Sequence, residues 1–226
     1  MSEHLFDSPE ELDIALADFI TTTLSDGIAK RGQASLVVSG GSTPKGLFAT
    51  LAKAELPWSD VTILLADERW VPIDHSDSNE RMVRELLLQN HASTASFLSL
   101  VPNYPDQASN IIEVQRSLSA LGTFDIVILG MGGDSHTASL FPCCDEIEEG
   151  LTTQDSVLMT HPKTAPHARV SLSRSRLADT RHGIVHIVGD DKHAVLQEAL
   201  TKSTSEAPIS AFASKEGGFE TWCASR

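Results

Sequence analysis

The residues best suited to proton transfer in this chain are Asp134 and His136, which stand two positions apart after a glycine-rich turn. The turn, residues 130–133, follows an apolar run of β-formers at residues 126–129. Glycine permits a tight turn and a close approach of the backbone to a ligand. A strand that ends in glycines and then presents an Asp and a His is typical of ligand sites in parallel α/β proteins. The pattern predicts a functional segment here, continued by the first turn of a helix at residues 137–140.

A second candidate segment is a loop of glycine and hydroxyl residues between a short apolar strand, residues 34–38, and a helix that begins near Lys45. The N–H groups of such a loop and the dipole of the helix both favour a bound anion, and the hydroxyl groups add donors. A plain strand-to-helix turn would explain the loop equally well when it is taken alone. The loop lacks the ending of a Walker A motif, so it does not predict nucleotide binding. The predicted phosphate-binding residues are Ser39, Gly40, Gly41, Ser42 and Thr43.

Charged side chains also follow the next apolar strand. Asp67 and Arg69 stand where ligands bind in parallel sheets, although a local ion pair would give the same pattern. Farther along, Asp74, His75 and Asp77 are residue types that bind metals, but their spacing matches no standard site. We interpret this stretch as a loop with local hydrogen bonds, and we predict no metal.

Two further cations are expected at the same site. Lys192 follows the last strong apolar strand, residues 183–188, and stands near the start of a helix. A lysine at that position opposes the helix dipole, and a bound anion would remove the conflict. Arg169 begins another predicted strand. Cations, an anion-binding backbone, an acid and a histidine are together typical of a site for a phosphorylated small molecule that undergoes proton transfer.

The elements that must position these residues alternate between strand and helix, without a repeat or a linker, along all 226 residues. This order predicts an α/β protein with a single doubly wound domain, residues 1–226, and a mostly parallel central sheet flanked by helices. Ser8 and the proline after it predict an N-capped first helix that ends near Gly32. Further helices are predicted at residues 79–89, 106–121 and 193–200, and a short strand at residues 98–101.

Composition excludes several classes of partner. The net charge of -14 argues against nucleic acid or an anionic membrane, because binding to a phosphate backbone requires clustered Lys and Arg. A small anionic substrate needs only two or three cations placed locally. The sequence shows no apolar run of membrane length and no signal peptide. Cys143, Cys144 and Cys223 match neither a disulfide framework nor a zinc motif, so we expect reduced thiols and a cytoplasmic protein.

The motifs, taken in order along the chain, resemble the family of glucosamine-6-phosphate isomerases and 6-phosphogluconolactonases, and its lactonase branch in particular. The matching segments are Ser-Gly-Gly-Ser-Thr-Pro at 39–44, Asp-Glu-Arg-Trp-Val-Pro at 67–72 with Asp-Ser-Asn-Glu at 77–80, Gly-x-Gly-x-Asp-x-His at 130–136 with the Leu-Phe-Pro ending at 140–142, Arg-Val-Ser-Leu at 169–172 and Gly-x-x-Lys at 189–192. The resemblance covers nearly the whole chain. One position departs from the family pattern, because Ser135 stands where that pattern has glycine. A positive φ at this serine would cost roughly 1 kcal/mol or more.

The resemblance implies hydrolysis of 6-phospho-D-glucono-1,5-lactone to 6-phosphogluconate without a metal or cofactor, and we expect a monomer or weak homodimer. His136 is the expected general base, because an imidazole with a pKa near 6.5 suits neutral pH. Asp134 would orient the turn or the imidazole, and Asp67 would hold sugar hydroxyls or the attacking water. Arg69 would stabilise the oxyanion or the phosphate. The 6-phosphate would lie against residues 39–43, Arg169 and Lys192.

Two other functions remain open. Glucosamine-6-phosphate deaminases share several of these motifs, but their ring-opening chemistry uses an acidic residue shortly after the histidine. This chain has Leu140, Phe141 and Pro142 there, which favours the lactonase. The other alternative is a non-catalytic sugar-phosphate sensor, which would need a DNA-binding helix-turn-helix. No basic segment outside the α/β domain supplies one.

Overall fold

Strands and helices alternate along residues 2–225, the part of the chain that the computed structural model describes. The strands are β1 (Glu3–Phe6), β2 (Ala34–Val38), β3 (Val61–Leu65), β4 (Asp67–Arg69), β5 (Ser96–Leu98), β6 (Phe124–Leu129), β7 (Val157–Thr160), β8 (Arg169–Leu172), β9 (Thr180–Val188) and β10 (Glu220–Ala224). The α-helices are α1 (Pro9–Arg31), α2 (Lys45–Leu51), α3 (Asn79–Leu86), α4 (Gln107–Ser119), α5 (Ile147–Thr152), α6 (Arg174–Ala178), α7 (Asp190–Ala199) and α8 (Ser210–Ala213). Short 3-10 helices cover Trp58–Asp60 and Asn90–Thr94.

Seven strands form one sheet in the order β1-β10-β9-β6-β2-β3-β5, and every neighbouring pair is parallel. The predicted α/β fold with a mostly parallel central sheet is therefore confirmed. The chain moves outward from β2 through β3 to β5 and then returns to β6 on the other side of β2. Ligands in such sheets bind beyond the carboxyl ends of the strands, at the point where the strand order reverses. Here that point lies between β2 and β6.

The inner strands form because their sequences suit a sheet that is covered on both faces. All five residues of β2 and all six residues of β6 are buried. Parallel strands in this position have continuous apolar runs rather than an alternating pattern. The one acidic residue of β6, Asp125, accepts the backbone N–H of Ser35 at 2.9 Å and pairs with Arg31, so its buried charge is compensated.

The first helix begins and ends where its sequence predicts. The hydroxyl of Ser8 accepts the N–H of Glu11 at 3.2 Å, and Pro9 occupies the first turn. Gly32 ends the helix in the left-handed region, with φ of 78°. The buried face packs into the core of the protein and consists of Leu12, Leu16, Ala17, Ile20, Leu24 and Gly27.

A second, smaller sheet was not predicted. It contains three antiparallel strands in the order β4-β8-β7. Ala66 alone separates β3 from β4, and its carbonyl accepts the N–H of Leu172 at 2.9 Å, so the two sheets are joined there. Asp67 and Arg69 therefore lie in a strand, and Arg69 is directly opposite Arg169. This sheet brings two arginines that are distant in sequence to the same place.

Residues 137–140 do not form the first turn of a helix, so that prediction was wrong. Ala138 has a φ of 47°, which an α-helix does not allow. The N–H of Ser139 donates to the hydroxyl of Ser171 at 3.1 Å, and the Ser139 hydroxyl donates to Oδ2 of Asp67 at 2.5 Å. These hydrogen bonds fix the segment against the smaller sheet in an irregular conformation.

Other differences concern short elements. Strand β5 begins and ends earlier than the predicted strand at 98–101, and α3 ends before residue 89. Strand β1 was not predicted, because four residues are too few to show a periodicity. Within residues 2–225 no helix combines the length and the apolar character needed to cross a membrane.

Candidate active site

A cavity of about 310 Å³ opens beyond the carboxyl ends of β2, β6 and β9. The sequence-predicted site residues that line it are Ser39, Gly40, Gly41, Ser42, Thr43, Asp67, Arg69, His136, Arg169 and Lys192. Asp134 is the remaining predicted residue, and it contacts this lining through His136. The structure therefore brings these distant segments together around one cavity.

His136 and Asp134 form a hydrogen-bonded pair at the cavity. Nδ1 of His136 lies 2.5 Å from Oδ1 of Asp134. The hydrogen bond to His136 is the main cause that lowers the pKa of Asp134, so this acid is ionised at neutral pH. Because a carboxylate only accepts hydrogen bonds, Nδ1 carries the proton, and Nε2 is the basic nitrogen of the neutral ring. A carboxylate that orients an imidazole in this way prepares it to act as a general base.

The turn before His136 has the conformation that this pair requires. A Cβ atom at Gly132 would overlap the His136 ring, so only glycine fits at that position. Ser135 has a φ of 67°, its N–H donates to the carbonyl of Gly132 at 3.1 Å, and its own carbonyl accepts the N–H of Ile209 at 3.1 Å. The ring of Phe141 stacks on His136 with centroids 3.9 Å apart. The serine therefore adopts the positive φ, and the imidazole is held from several sides.

Arg69 and Arg169 bring positive charge to the cavity from the smaller sheet. Arg69 donates to the carbonyl of Asp77 at 2.6 Å, and Arg169 donates to the carbonyl of Pro166 at 3.1 Å. The Nε atom of each guanidinium is buried and has no hydrogen-bond partner within residues 2–225. A buried donor without a partner costs about 1–3 kcal/mol. A bound anion would supply the missing acceptors.

Asp67 is buried next to Arg169. Its Oδ2 accepts the hydroxyl of Ser139 and lies 4.0 Å from Nη1 of Arg169. Burial lowers the pKa of Arg169, an effect that the charge of Asp67 opposes. The carboxylate thus keeps the guanidinium in place and compensates part of its charge.

The loop after β2 has the backbone expected for an anion site. Gly41 has a φ of 93°, which favours glycine. Gly40 packs so closely on Asn79 that a Cβ atom would overlap the Asn79 side chain. Ser42 is exposed and Thr43 is partly exposed, and both line the cavity. The backbone of the loop can therefore approach a ligand closely.

The structure corrects the predicted role of the Ser39 side chain. Its hydroxyl donates to the carbonyl of Ile128 at 3.0 Å and accepts the N–H of Gly130 at 3.2 Å. The hydroxyl proton is therefore used to join the ends of β2 and β6. Ser39 positions the two loops relative to each other, and a phosphate would find its hydroxyl donors at Ser42 and Thr43.

Lys192 reaches the cavity from the first turn of α7. Its ammonium donates to the carbonyl of Met131 at 2.7 Å, which places the charge at the end of β6. Lys192 lies beside the glycine turn because β9, which precedes α7, is the neighbour of β6 in the sheet.

Sequence reasoning missed His186, which also lines the cavity. Its Nε2 has no hydrogen-bond partner within the described part of the chain and lies 3.9 Å from Oδ1 of Asp13. Burial lowers the pKa of His186 to about 4, and burial is also the main cause that raises the pKa of Asp13 to about 6. The signal in the sequence is a single histidine within the apolar run Ile-Val-His-Ile-Val at 184–188.

This fold and this site define an α/β protein whose cavity brings cationic side chains together beside a histidine hydrogen-bonded to an aspartate. The chain belongs to the family described as glucosamine-6-phosphate isomerases/6-phosphogluconolactonase, whose model matches residues 7–222.

Individual relatives agree with this assignment. A 6-phosphogluconolactonase of Rhizobium meliloti (strain 1021) is 41% identical over 212 residues, which cover 92% of this chain and 91% of that protein. The crystal structure of a 6-phosphogluconolactonase from Shewanella baltica OS155 matches with a TM-score of 0.94 at 43% identity, covering 99% of this chain and 97% of that one. A monomeric glucosamine-6-phosphate deaminase matches with a TM-score of 0.83 at 16% identity, covering 100% of this chain and 98% of that one. The fold alone therefore does not separate the two activities.

Proposed function

We propose that this chain hydrolyses 6-phospho-D-glucono-1,5-lactone to 6-phospho-D-gluconate, with His136 as the general base. The observation that carries the proposal is the pair formed by His136 and Asp134, which lies at the same cavity as the half-buried Arg69 and the buried Arg169. The similarity to proteins named 6-phosphogluconolactonase supports this choice of substrate.

In the first step, Nε2 of His136 accepts a proton from water while the water oxygen bonds to the lactone carbonyl carbon. The negative charge of Asp134 stabilises the imidazolium that forms. The carbonyl oxygen becomes an oxyanion, and the guanidinium of Arg69 stabilises it where the charge develops. The pair thus supplies the proton acceptor and its compensating charge.

In the second step, the tetrahedral intermediate collapses and the bond between the carbonyl carbon and the ring oxygen breaks. The imidazolium of His136 returns its proton to the departing ring oxygen, which becomes a hydroxyl group. The carboxylic acid then loses a proton to solvent. The same histidine acts first as a base and then as an acid, and it ends in its starting state.

The remaining lining residues bind the substrate. Lys192, Arg169 and the N–H groups of residues 40–43 hold the 6-phosphate, and Asp67 accepts hydrogen bonds from sugar hydroxyls. Small-molecule sites have volumes of roughly 300–1,000 Å³. The cavity of about 310 Å³ is at the lower end of this range, which suits a single phosphorylated sugar.

The surroundings of His136 favour the lactonase over the deaminase. Deaminases of this family are expected to have an acidic residue in the segment where this chain has residues 140–142. Here the apolar ring of Phe141 stacks on the histidine. The carboxylate bonded to the ring is Asp134, which comes before the histidine.

A coupled assay tests the proposed substrate. Freshly generated 6-phosphogluconolactone and glucosamine 6-phosphate are supplied in parallel, and spontaneous hydrolysis of the lactone is subtracted. We expect lactone consumption well above the spontaneous rate and no release of ammonia from the amino sugar. Ammonia release without lactone hydrolysis would assign the chain to the deaminase branch. Binding of either sugar phosphate without turnover would instead indicate a sensor.

A further inference from the structure

Outside the lining of the cavity, three side chains that can ligate metals meet between two loops. His75 and Asp77 lie in the connection from β4 to α3, and His167 lies in the connection from β7 to β8. One potential donor atom from each residue lies within 4.8 Å of the other two. The structure thus brings together a set that the sequence separates by 90 positions. This separation explains why the spacing around His75 matched no standard motif.

The present hydrogen bonds already orient the three groups toward one another. Nε2 of His167 lies 2.9 Å from Oδ2 of Asp77, and Nδ1 of His75 accepts the backbone N–H of Asp77 at 3.1 Å. The two imidazole rings meet edge to face with centroids 5.5 Å apart.

The donor set and its accessibility suit a transition-metal ion. Zn²⁺ binds imidazole nitrogen and carboxylate oxygen at about 2.0–2.2 Å, and tetrahedral geometry then places neighbouring ligand atoms roughly 3.3 Å apart. The contact between His167 and Asp77 is already near this separation. The Asp77 side chain is 49% exposed and the His167 side chain 27% exposed, so an ion can enter and the side chains can rotate.

We propose that His75, Asp77 and His167 form a binding site for one divalent transition-metal ion, with Zn²⁺ as its representative, and that water completes the coordination. The ion would replace the proton that His167 shares with Asp77. It would also bridge the two loops, one of which carries the Asp77 carbonyl that accepts from Arg69. The site is separate from the proposed reaction, which uses no metal.

Metal titration of the full chain, after treatment with a chelator, tests the proposal. Calorimetry with Zn²⁺ should give one saturable site per chain, and Co²⁺ should give visible absorption bands typical of nitrogen and oxygen ligands. His75→Ala, Asp77→Asn and His167→Ala should each weaken Zn²⁺ binding by on the order of tenfold or more. Unchanged melting temperatures in the presence of chelator would show that these loop variants are folded.

His161→Ala is the matched control, because His161 pairs with Glu146 at 2.7 Å and, within residues 2–225, this pair belongs to no group of three metal-ligating side chains. This variant should bind Zn²⁺ like the parent chain. X-ray absorption at the zinc edge should show nitrogen and oxygen ligands without sulfur, which excludes Cys143 and Cys144. The proposal would be overturned if the parent chain showed no saturable Zn²⁺ binding, or if the three cluster variants bound Zn²⁺ as tightly as the parent chain. A sulfur ligand would also overturn it.

Discussion

The position of the His136 imidazole depends on its neighbours in space more than on its own backbone. Gly132 leaves room for the ring, Phe141 stacks against it, and Asp134 fixes Nδ1. The residue between acid and histidine, Ser135, has the left-handed conformation for which the family pattern has glycine. The turn therefore keeps its geometry with a serine, at a cost in backbone strain.

The strain at Ser135 can be measured as stability. Replacing Ser135 by glycine removes the cost of the left-handed conformation, roughly 1–2 kcal/mol, from the folded state. Glycine also loses more conformational entropy on folding, which destabilises the folded state by roughly 0.5–1 kcal/mol. We expect Ser135→Gly to raise the free energy of unfolding by about 0.5–1 kcal/mol in urea denaturation. Ser135→Ala keeps the Cβ atom and serves as the control, with no such gain expected. A glycine variant less stable than the parent chain would contradict the inference that Ser135 is strained.

The proposed role of Lys192 predicts a separation between substrate binding and turnover. A hydrogen bond to a charged group contributes about 1.5–3 kcal/mol. We therefore expect Lys192→Met to raise KM for the lactone by roughly 10–100-fold, with little change in kcat. Lys215→Met is the control, since Lys215 is exposed and lies outside the cavity lining. A fall in kcat at unchanged KM would instead place Lys192 with the reacting atoms.

At the scale of elements, the smaller sheet and helix α3 are joined through one buried carboxylate. Glu68, in β4, accepts the N–H groups of Asn79 at 2.8 Å and Glu80 at 2.6 Å, and the hydroxyl of Ser78 at 3.0 Å. Glu68 thus accepts hydrogen bonds from backbone N–H groups in the first turn of α3, which have no partner within the helix. The connection that carries the carbonyl partner of Arg69 is held between these two elements.

Substitution of Glu68 tests this junction. Glu68→Gln replaces an acceptor oxygen by an NH₂ group that would face backbone donors, so we expect a loss of about 1–3 kcal/mol in the free energy of unfolding. Glu85→Gln on the same helix breaks only an exposed pair with Arg81 and should cost less than about 0.5 kcal/mol. Chemical denaturation of both variants measures the difference. Equal losses would show that Glu68 is not a special contact.

The central sheet could be predicted from the sequence, whereas the smaller sheet could not. Strands such as β2 and β6 are continuous apolar runs because both of their faces are covered. Strand β4 reads Asp-Glu-Arg, and its acids are buried only because their partners come from elsewhere in the chain, as Ser139 does for Asp67. The irregular path of residues 137–140 has the same long-range cause.

In the candidate site, too, some features could be predicted from the sequence and others could not. The segments that follow β2, β6 and β9 lie together because parallel strands end at one edge of the sheet, whereas Arg69 and Arg169 meet through the smaller sheet, which was not predicted. His186 is visible in the sequence as a histidine within an apolar strand. The hydrogen bonds of the Ser39 hydroxyl and the meeting of His75 with His167 instead depend on contacts between distant residues. No local pattern encodes such contacts.

At the scale of the whole molecule, buried titratable groups make stability depend on pH. Burial lowers the pKa of His186 from 6.5 to about 4, because the folded protein accommodates the neutral imidazole better than the charged one. The resulting contribution to the free energy of unfolding is fully present above pH 6.5. This stability is lost as the pH falls from 6.5 toward 4. Asp13 acts in the opposite sense: its pKa is raised to about 6, and its contribution is lost as the pH rises through that value. The two effects oppose each other in the acid range.

Replacing His186 isolates one of these effects. Between pH 7 and pH 4.5 the parent chain should lose about 2 kcal/mol more unfolding free energy than His186→Gln. Denaturation series at several pH values measure this difference. His91→Gln, at an exposed position, is the control, and its free energy of unfolding should depend on pH as that of the parent chain does. Parallel pH profiles for the parent chain and His186→Gln would show that His186 is protonated without cost.

The most direct test of the proposed mechanism is the steady-state kinetics of His136→Ala with freshly generated lactone, after subtraction of spontaneous hydrolysis. A positioned general base contributes typically about 10²–10⁴-fold, so kcat should fall by at least about 100-fold while KM changes little. Asp134→Asn should also lower kcat, because the imidazole loses its orienting carboxylate. Near-normal turnover by His136→Ala would contradict the role of His136 as the base.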